Sequence, residues 1–261
     1  MLKVISANLN GIRAAARKGF FDWLAQQNAD VVCLQETKAH MLTLTDPMFY
    51  PKGYYHYFFD AVKPGYSGVG IYTKIEPQNV QKGLGFALAD TEGRYIQVDF
   101  EGLSVASLYL PSGSSGDHRQ ALKYEFMHEY FKILHQQKKQ SREFIICGDY
   151  NIVHKEIDIK NWKANQQSSG CLPEERAWLD KIFGPEDYVD AFRVVNQEPD
   201  QYTWWTYRAG AWHNNVGWRI DYQVITPGLK DKVRGASIAR ETRFSDHAPL
   251  TIDYDLCLAL P

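Results

Sequence analysis

The sequence predicts an α+β fold: a four-layer sandwich in which two packed, mostly antiparallel β-sheets are flanked by helices. Three observations predict it. Short β-rich runs recur from one end of the chain to the other, alternating with amphipathic helices and polar loops. No Pro/Ser/Gly linker, charge run, internal repeat or low-complexity segment divides the 261 residues. The chain is also long enough to bury a real core without staples, so residues 1–261 are expected to form one domain. Many strands with helices outside them make two sheets with helical covers the simplest arrangement.

The elements follow in order. Lys3–Ala7 reads as a strand, and Lys18–Gln27 as a helix with Phe20, Phe21 and Leu24 on one face. Asp30–Leu34, Gly68–Tyr72, Tyr95–Phe100 and Ser104–Leu110 are strand-like apolar runs. Gln120–Gln137 is a long helix, because Leu122, Phe126, Tyr130 and Leu134 recur every four residues. It runs into Lys138, Lys139 and Arg142, cations that suit the negative end of a helix dipole. Phe144–Cys147 reads as a buried strand. Pro173–Ile182 is a helix with Pro at its start and Glu174 and Glu175 in its first turn. Ile220–Ile225 and Leu250–Tyr254 are the closing strands.

Composition narrows the function classes. Lys and Arg number 29 against 31 Asp and Glu, a formal charge of −2, with 44% hydrophobic and 23% charged residues. That is ordinary globular composition, not a disordered chain, a collagen repeat or a coiled coil. No apolar run approaches the roughly 20 residues that span a bilayer. The first residues show no secretion signal, so a cytoplasmic, membrane-free, monomeric protein is expected. Near-neutral charge argues against bulk electrostatic binding of nucleic acid, though not against a local basic face. Cys33, Cys147, Cys171 and Cys257 are far apart and form no zinc-type spacing; Cys33 and Cys147 read as small buried hydrophobes.

Several apolar strands run directly into polar residues. Asn8 and Asn10 follow the first strand, and Gln35-Glu36 the second. Tyr109 ends another, Gly148-Asp149-Tyr150-Asn151 follows Cys147, and Asp221 follows Ile220. Ser245-Asp246-His247 stands just before the last strand. Any one of these is most simply a turn or a cap. Together they bring carboxylates, amides, a phenol and an imidazole to sheet ends, where rigid strands could hold them for metal-assisted hydrolysis. The oxygen-rich set of Glu36, Asp149, Asp246, Asn8 and Asn151 suits Mg²⁺ or Mn²⁺ rather than zinc. No serine-nucleophile elbow, phosphate loop, dinucleotide fingerprint or His-Glu-x-x-His is present. Gln201–Ile220 holds four of the seven tryptophans with Arg208, Arg219 and His213 and no acid. It is either an aromatic core corner or a surface for stacking on bases and sugars.

Seven segments occur in an order that resembles a known family: Ile5–Arg13, Leu34–Lys38, Gly65–Gly68, Leu108–Pro111, Cys147–Asn151, Asn215–Tyr222 and Ser245–Leu250. They resemble the exonuclease III type of apurinic/apyrimidinic (AP) DNA endonuclease, within the endonuclease/exonuclease/phosphatase superfamily, over essentially the whole chain. The resemblance implies a DNase I-like sandwich. It implies Mg²⁺-dependent hydrolysis of the phosphodiester 5′ to an abasic site in duplex DNA, leaving a 3′-hydroxyl, with Mn²⁺ able to substitute. Activity on blocked 3′ ends, as a 3′-phosphodiesterase or 3′-to-5′ exonuclease, is implied beside it. Carried over by position, Glu36 is the principal metal ligand, with Asn10 and Asp246 near it. Asp149 orients or deprotonates the attacking water, and Asn151 and Asn8 hydrogen-bond the phosphate and Asp149. Tyr109 contacts the phosphate, and His247, held by Asp221, is a phosphate ligand. Trp204, Trp218 and Ile220 form the pocket for the base-less sugar, and Asn165 lies in the segment that supplies a phosphate contact. Lys38, Tyr66 and Arg94 are DNA-backbone contacts.

Three features depart from relatives. Asn10 stands where some members have Asp. Ser168 and Cys171 stand where Asn and Phe are frequent. The loop 112–116 lacks an Arg that some relatives insert into the duplex, leaving Trp212 or Arg119 to take that part. A trimming exonuclease with little abasic incision, a phosphatase of the same fold and an inactive DNA-binding module are the competing readings.

Overall fold

The computed structural model describes residues 1–258. Along the chain run β1 (Leu2–Asn8), α1 (Ile12–Arg17), α2 (Phe20–Gln27), β2 (Val31–Gln35), β3 (Tyr55–Phe59), β4 (Val69–Thr73) and β5 (Asn79–Lys82). The middle holds α3 (Ala87–Thr91), β6 (Tyr95–Phe100), β7 (Leu103–Tyr109), α4 (Asp117–Gln137) and β8 (Glu143–Asp149). The last part holds α5 (Pro173–Phe183), β9 (Val189–Asp190), α6 (Ala191–Val195), β10 (Asp221–Ile225), β11 (Val233–Ile238) and β12 (Leu250–Tyr254). They build two six-stranded sheets, ordered β11-β12-β1-β2-β4-β3 and β5-β6-β7-β8-β10-β9. All pairings are antiparallel except β1 with β2 and β7 with β8.

The strands read from their apolar runs are buried on both faces, apart from β12, where Thr251 and Asp253 are half-exposed. In β8, Ile145 and Cys147 face the other sheet, where they meet Val4, Val31, Cys33 and Ile252. Phe144 and Ile146 face outward, onto Phe126, Tyr130 and Leu134 of α4 and Leu179 and Ile182 of α5. On the opposite side, Ile5, Val32 and Leu34 are covered by Ile12 of α1 and Phe20 and Leu24 of α2. Each such side chain withdrawn from water contributes about 1.5–3 kcal/mol, so the four layers are held mainly by burial. A polar seam crosses between the sheets. Gln35 Nε2 donates to Ser107 Oγ (3.0 Å), Ser107 Oγ to the Leu34 carbonyl (2.7 Å), and Gln223 Nε2 to the Val4 carbonyl (2.9 Å). Such bonds fix the register of one sheet on the other more sharply than apolar contact does.

Two features position the site. Each parallel pair sends both its strands out at the same rim: Asn8 is level with Gln35, and Tyr109 with Asp149. Antiparallel β10 starts there, with Asp221 beside Asp149.

The four strands not expected are β3, β5, β9 and β11, and they are the four sheet edges. The helix expected over 18–27 is α2, which starts at Phe20 after Gly19, at φ 90°, turns the chain; α1, over Ile12–Arg17, was not expected. Short α3 and α6 were also not expected.

Candidate active site

The loops leaving the strand ends are tightly bent. Asn10, Glu36, Lys38 and Asn151 all have φ between 44° and 50° or just above, at 53° for Glu36. This left-handed backbone is tolerated by Asn and costs Glu and Lys of order 1–3 kcal/mol each. Backbone bonds enforce it: Gly11 N–H donates to the Glu36 carbonyl (2.8 Å), Ile12 N–H to Thr37 (2.9 Å) and Lys38 N–H to Ser67 (2.8 Å). Gly68 lies against this turn at φ 88°; a Cβ there would stand 2.3 Å from Thr37 Oγ1. The strain is concentrated where Glu36 enters a cleft of about 630 Å³.

That cleft is lined by Glu36, Tyr109, Asp149, Asn151, Trp204, Trp218, Ile220, Asp246 and His247, nine of the expected site residues. Asn8 and Asp221 stand directly behind it. Asn8 Nδ2 donates to Asp149 Oδ2 (2.9 Å), and Asn151 N–H donates to Asp149 Oδ1 (2.9 Å). Asp221 Oδ2 accepts from His247 Nδ1 (2.8 Å), which turns Nε2 toward Asp149 Oδ2 at 3.6 Å. Ser245 Oγ, donating to the Asn8 carbonyl, accepts the His247 N–H and so joins the first and last strands here.

Electrostatics follow from the burial of these groups. Burial alone would depress the His247 imidazole, but the carboxylates of Asp221 and Asp149 outweigh it and lift it to about 10, so the ring is a cation at neutral pH. Burial raises Asp149 well above the ordinary carboxylate range, with help from the charges of Asp221 and Glu36 and against the pull of His247. Burial, and then Glu36, keep the Tyr109 phenol protonated.

A second chain of contacts ties the expected metal residues together. Lys38 Nζ lies 3.2 Å from Glu36 Oε1 and donates to Asn10 Oδ1 (2.5 Å). Asn10 Nδ2 donates to Asp246 Oδ1 (3.1 Å), whose Oδ2 accepts from Trp204 Nε1 (3.0 Å). The acceptor atoms gathered here are all oxygens, a set suited to a hard cation, and the Lys38 ammonium partners two of them. Asp149, Asp221 and His247 also bring ligand-type atoms within 4.8 Å of one another. There Nδ1 of His247 is already engaged by Asp221, and Nε2 faces Asp149.

The apolar end is built by Trp204 and Trp218, edge to face at 5.7 Å, with Ile220 and Cys171 behind them. The aromatic segment therefore divides. Trp205 is wholly buried, packed on Trp212, and belongs to the core, while Trp204 and Trp218 face the cleft.

The expectation for Arg94 is corrected, and Arg119 and Asn165 are found in local contacts. Arg94 is 1% exposed and cannot reach a DNA backbone. Its guanidinium lies 4.7 Å from the Tyr109 ring centroid, donates to the Tyr109 carbonyl (2.9 Å) and Tyr66 Oη (3.2 Å), and is held by Glu92 (2.7 Å). Arg119 is bound to the same Glu92 and Tyr66, so it is not free to enter a duplex. Asn165 lies outside the cleft lining; its Nδ2 donates to Asn161 (3.0 Å) within its own turn, and Ser168 reaches the cleft instead. Ser112, Ser114, Asp117, Gln120 and Ser169 complete the cleft without having been expected. They sit in a plain polar loop, at a helix start and beside a turn, with no pattern to single them out.

The cleft thus joins an acidic end, a buried carboxylate of raised proton affinity, an imidazolium, a neutral phenol and an apolar pocket. Comparison with known proteins agrees with that chemistry. The family model described as Endonuclease/Exonuclease/phosphatase family matches residues 5–247. An exodeoxyribonuclease of Bacillus subtilis (strain 168) is 38% identical over 253 residues, covering 96% of this chain and 98% of that one. A DNA-(apurinic or apyrimidinic site) endonuclease of Dictyostelium discoideum is 34% identical over 258 residues, covering 98% of this chain and 71% of that one. The solved structure of an AP endonuclease from Archaeoglobus fulgidus superposes with a TM-score of 0.88 at 26% identity, covering 98% of this chain and all of that one. Sequence, sheet order and cleft agree, and the chain belongs to the endonuclease/exonuclease/phosphatase family, as a hydrolase of its exonuclease III-type AP endonuclease branch.

Proposed function

We propose that this protein is a Mg²⁺-dependent DNA-repair nuclease that hydrolyses the phosphodiester 5′ to an abasic site in duplex DNA and leaves a 3′-hydroxyl. Removal of blocked 3′ ends and 3′-to-5′ trimming accompany this activity. The carrying observation is the juxtaposition of Asp149 and cationic His247 with the Trp204–Trp218–Ile220 pocket in one cleft. All these groups come from one chain, which supports action as a monomer.

A phosphodiester is anionic and repels hydroxide, so its hydrolysis needs charge neutralisation and an oriented water. Glu36, with Asn10 and Asp246 beside it, would hold the cation, Mg²⁺ or Mn²⁺, which supplies charge neutralisation at a non-bridging oxygen. The residues do the rest. Asp149, with a proton affinity matched to neutral pH, takes a proton from the attacking water at a carboxylate oxygen. Asn8 keeps the other lone pairs of that carboxylate occupied. The His247 imidazolium donates from Nε2 to the phosphate, while Asp221 holds its tautomer and charge. Tyr109 and Asn151 donate to the oxygens on which charge develops. Trp204, Trp218 and Ile220 accept a base-less sugar, whereas an intact nucleotide must be unstacked and is too large for the pocket.

The test is cleavage of a 5′-labelled duplex carrying one tetrahydrofuran abasic analogue, with Mg²⁺ and with EDTA, beside an undamaged recessed 3′ end. Mg²⁺-dependent cutting at the analogue is expected. Shortening of the recessed end with no internal cut would refute the abasic reading in favour of a trimming exonuclease.

A further inference from the structure

A buried ion pair stands behind the cleft, and the mechanism above does not use it. Lys123 of α4 and Glu175 of α5 are both 0% exposed. Burying two charges is costly unless each is fully hydrogen-bonded, and replacing such a pair by apolar residues is often neutral or stabilising. Stability alone is therefore a weak reason for it. The partners of these two residues point elsewhere. Lys123 Nζ donates to Glu175 Oε1 (2.6 Å) and to the backbone carbonyl of Asn151 (2.7 Å). Glu175 Oε1 also accepts from Gln120 Nε2 (3.0 Å), and its Oε2 accepts the N–H groups of Gly170 (2.6 Å) and Leu172 (3.1 Å).

Both ends of the pair thus reach cleft-lining backbone. Asn151 sits at φ 50°, with its amide Nδ2 donating to the Leu110 carbonyl (2.8 Å), so its position depends on being anchored. Gly170, at φ 93°, is wedged against it: a Cβ there would stand 3.0 Å from both the Asn151 carbonyl oxygen and Trp218 Cζ3. Glu175 holds Gly170 in that gap, and Lys123 holds the carbonyl on its far side.

We propose that Lys123 and Glu175 form a positioning pair that sets Asn151 and the Gly170–Trp218 wall of the sugar pocket in register. The proposal rests on the roles given to Asn151 and Trp218 above. Misplacement of a reacting group by about 1 Å can cost of order 100-fold in rate, so the pair acts through kcat.

The experiment compares wild type, Lys123→Met and the neutral double variant Lys123→Met/Glu175→Gln. Melting temperature, kcat and KM on the tetrahydrofuran duplex are measured well below the melting temperature of each. Lys123→Met leaves Glu175 unpaired and is expected to lower both stability and kcat. In the double variant no charge is stranded, and the amide oxygen introduced by Glu175→Gln can still accept from the Gly170–Leu172 backbone. Its melting temperature is expected to recover, while kcat stays about 10-fold or more below wild type at similar KM, because the Asn151 carbonyl still lacks its donor. Recovery of kcat together with stability would overturn the proposal and leave the pair a purely structural one. The double variant decides the matter even if Lys123→Met does not fold. If wild type itself fails to cut the duplex, the proposed function has failed instead, a result distinct from either outcome.

Discussion

Replacing Asp221 by Asn removes a charge while keeping an acceptor in place for His247 Nδ1. The structure puts the two atoms at 2.8 Å, both side chains buried, so solvent screens the interaction little. Moving an imidazole from 6.5 to about 10 corresponds to about 5 kcal/mol of preference for the cation, at ~1.4 kcal/mol per decade. After burial itself, Asp221 is the leading influence on that value, ahead of Asp149. Without its charge His247 titrates at lower pH, and so does Asp149, which Asp221 also pushes up. Wild type should therefore gain activity as pH rises through the neutral range, where Asp149 loses its proton, and hold it until His247 deprotonates near 10. In Asp221→Asn both limbs move down, and the active range closes early on the alkaline side. Loss of a charged donor to the phosphate costs of order 100- to 1,000-fold, so the deficit is small in acid and grows toward that size with pH. The assay is kcat/KM on the tetrahydrofuran duplex across the neutral and mildly alkaline range, with the His247 ring followed by NMR. A variant whose profile has the shape of wild type, or whose ring still titrates near 10, would refute the coupling of Asp221 to His247 charge.

Further expectations concern the base, the pocket and acid stability. Asp149→Asn should lower turnover by about 1,000-fold while changing DNA affinity only a few-fold, as measured by single-turnover cleavage and by binding in EDTA. Trp218→Ala should reduce discrimination between abasic and intact duplex by about 10-fold, read as a ratio of kcat/KM values; an unchanged ratio would remove Trp218 from the sugar pocket. Burial would raise the Asp158 carboxyl, yet Arg219 and Arg193 outweigh it and hold it below the usual value of 3.8. A carboxyl lowered by folding contributes stability above 3.8 that disappears as pH falls through its folded-state value. Denaturant titrations should thus show stability dropping below about pH 4, and Asp158→Asn should cost about 1.5–3 kcal/mol at neutral pH with a shallower acid dependence, since it removes the carboxylate from Arg193 and one of the two from Arg219, which keeps Asp190.

Legibility in the sequence followed the burial of each element. The eight strands between the sheet edges were readable because at least one face of each is covered, which leaves apolar residues in a continuous run, as in β2, β4 and β8, or at alternate positions, as in β12. The edges were not. Val80 is the one apolar residue of β5, β9 has two residues, and β11 contains Arg234, Gly235 and Ser237 around a register shift. In these three edges polar residues and irregularities erase the pattern that marks a strand, whereas β3, Tyr-His-Tyr-Phe-Phe in regular register, carries a strand-like aromatic run that was not read. At the site, Glu36 and Asp149 stood out as polar residues closing apolar runs, and Asp221 and His247 as polar residues at or just before the start of one, while the roles given to them came from the family resemblance. Arg94 was carried over by resemblance as a DNA-backbone contact, and only the structure reveals Glu92, Tyr66 and the Tyr109 ring around it. Lys123 was not singled out and Glu175 was read only as a first-turn acid, since the two residues meet across 52 positions of the chain.

The division of the cleft between two sheets has a kinetic consequence. Asn8 meets Asp149 across 141 residues, Asn10 meets Asp246 across 236, and Ser245 meets Asn8 across 237. Contacts of such long sequence separation form slowly, because the chain closes very large loops to make them. Either sheet can gain its own hydrogen bonds while the cleft is still unassembled. Competence for hydrolysis then requires the two sheets to be docked on one another, since Asn8 comes from one and Asp149 from the other.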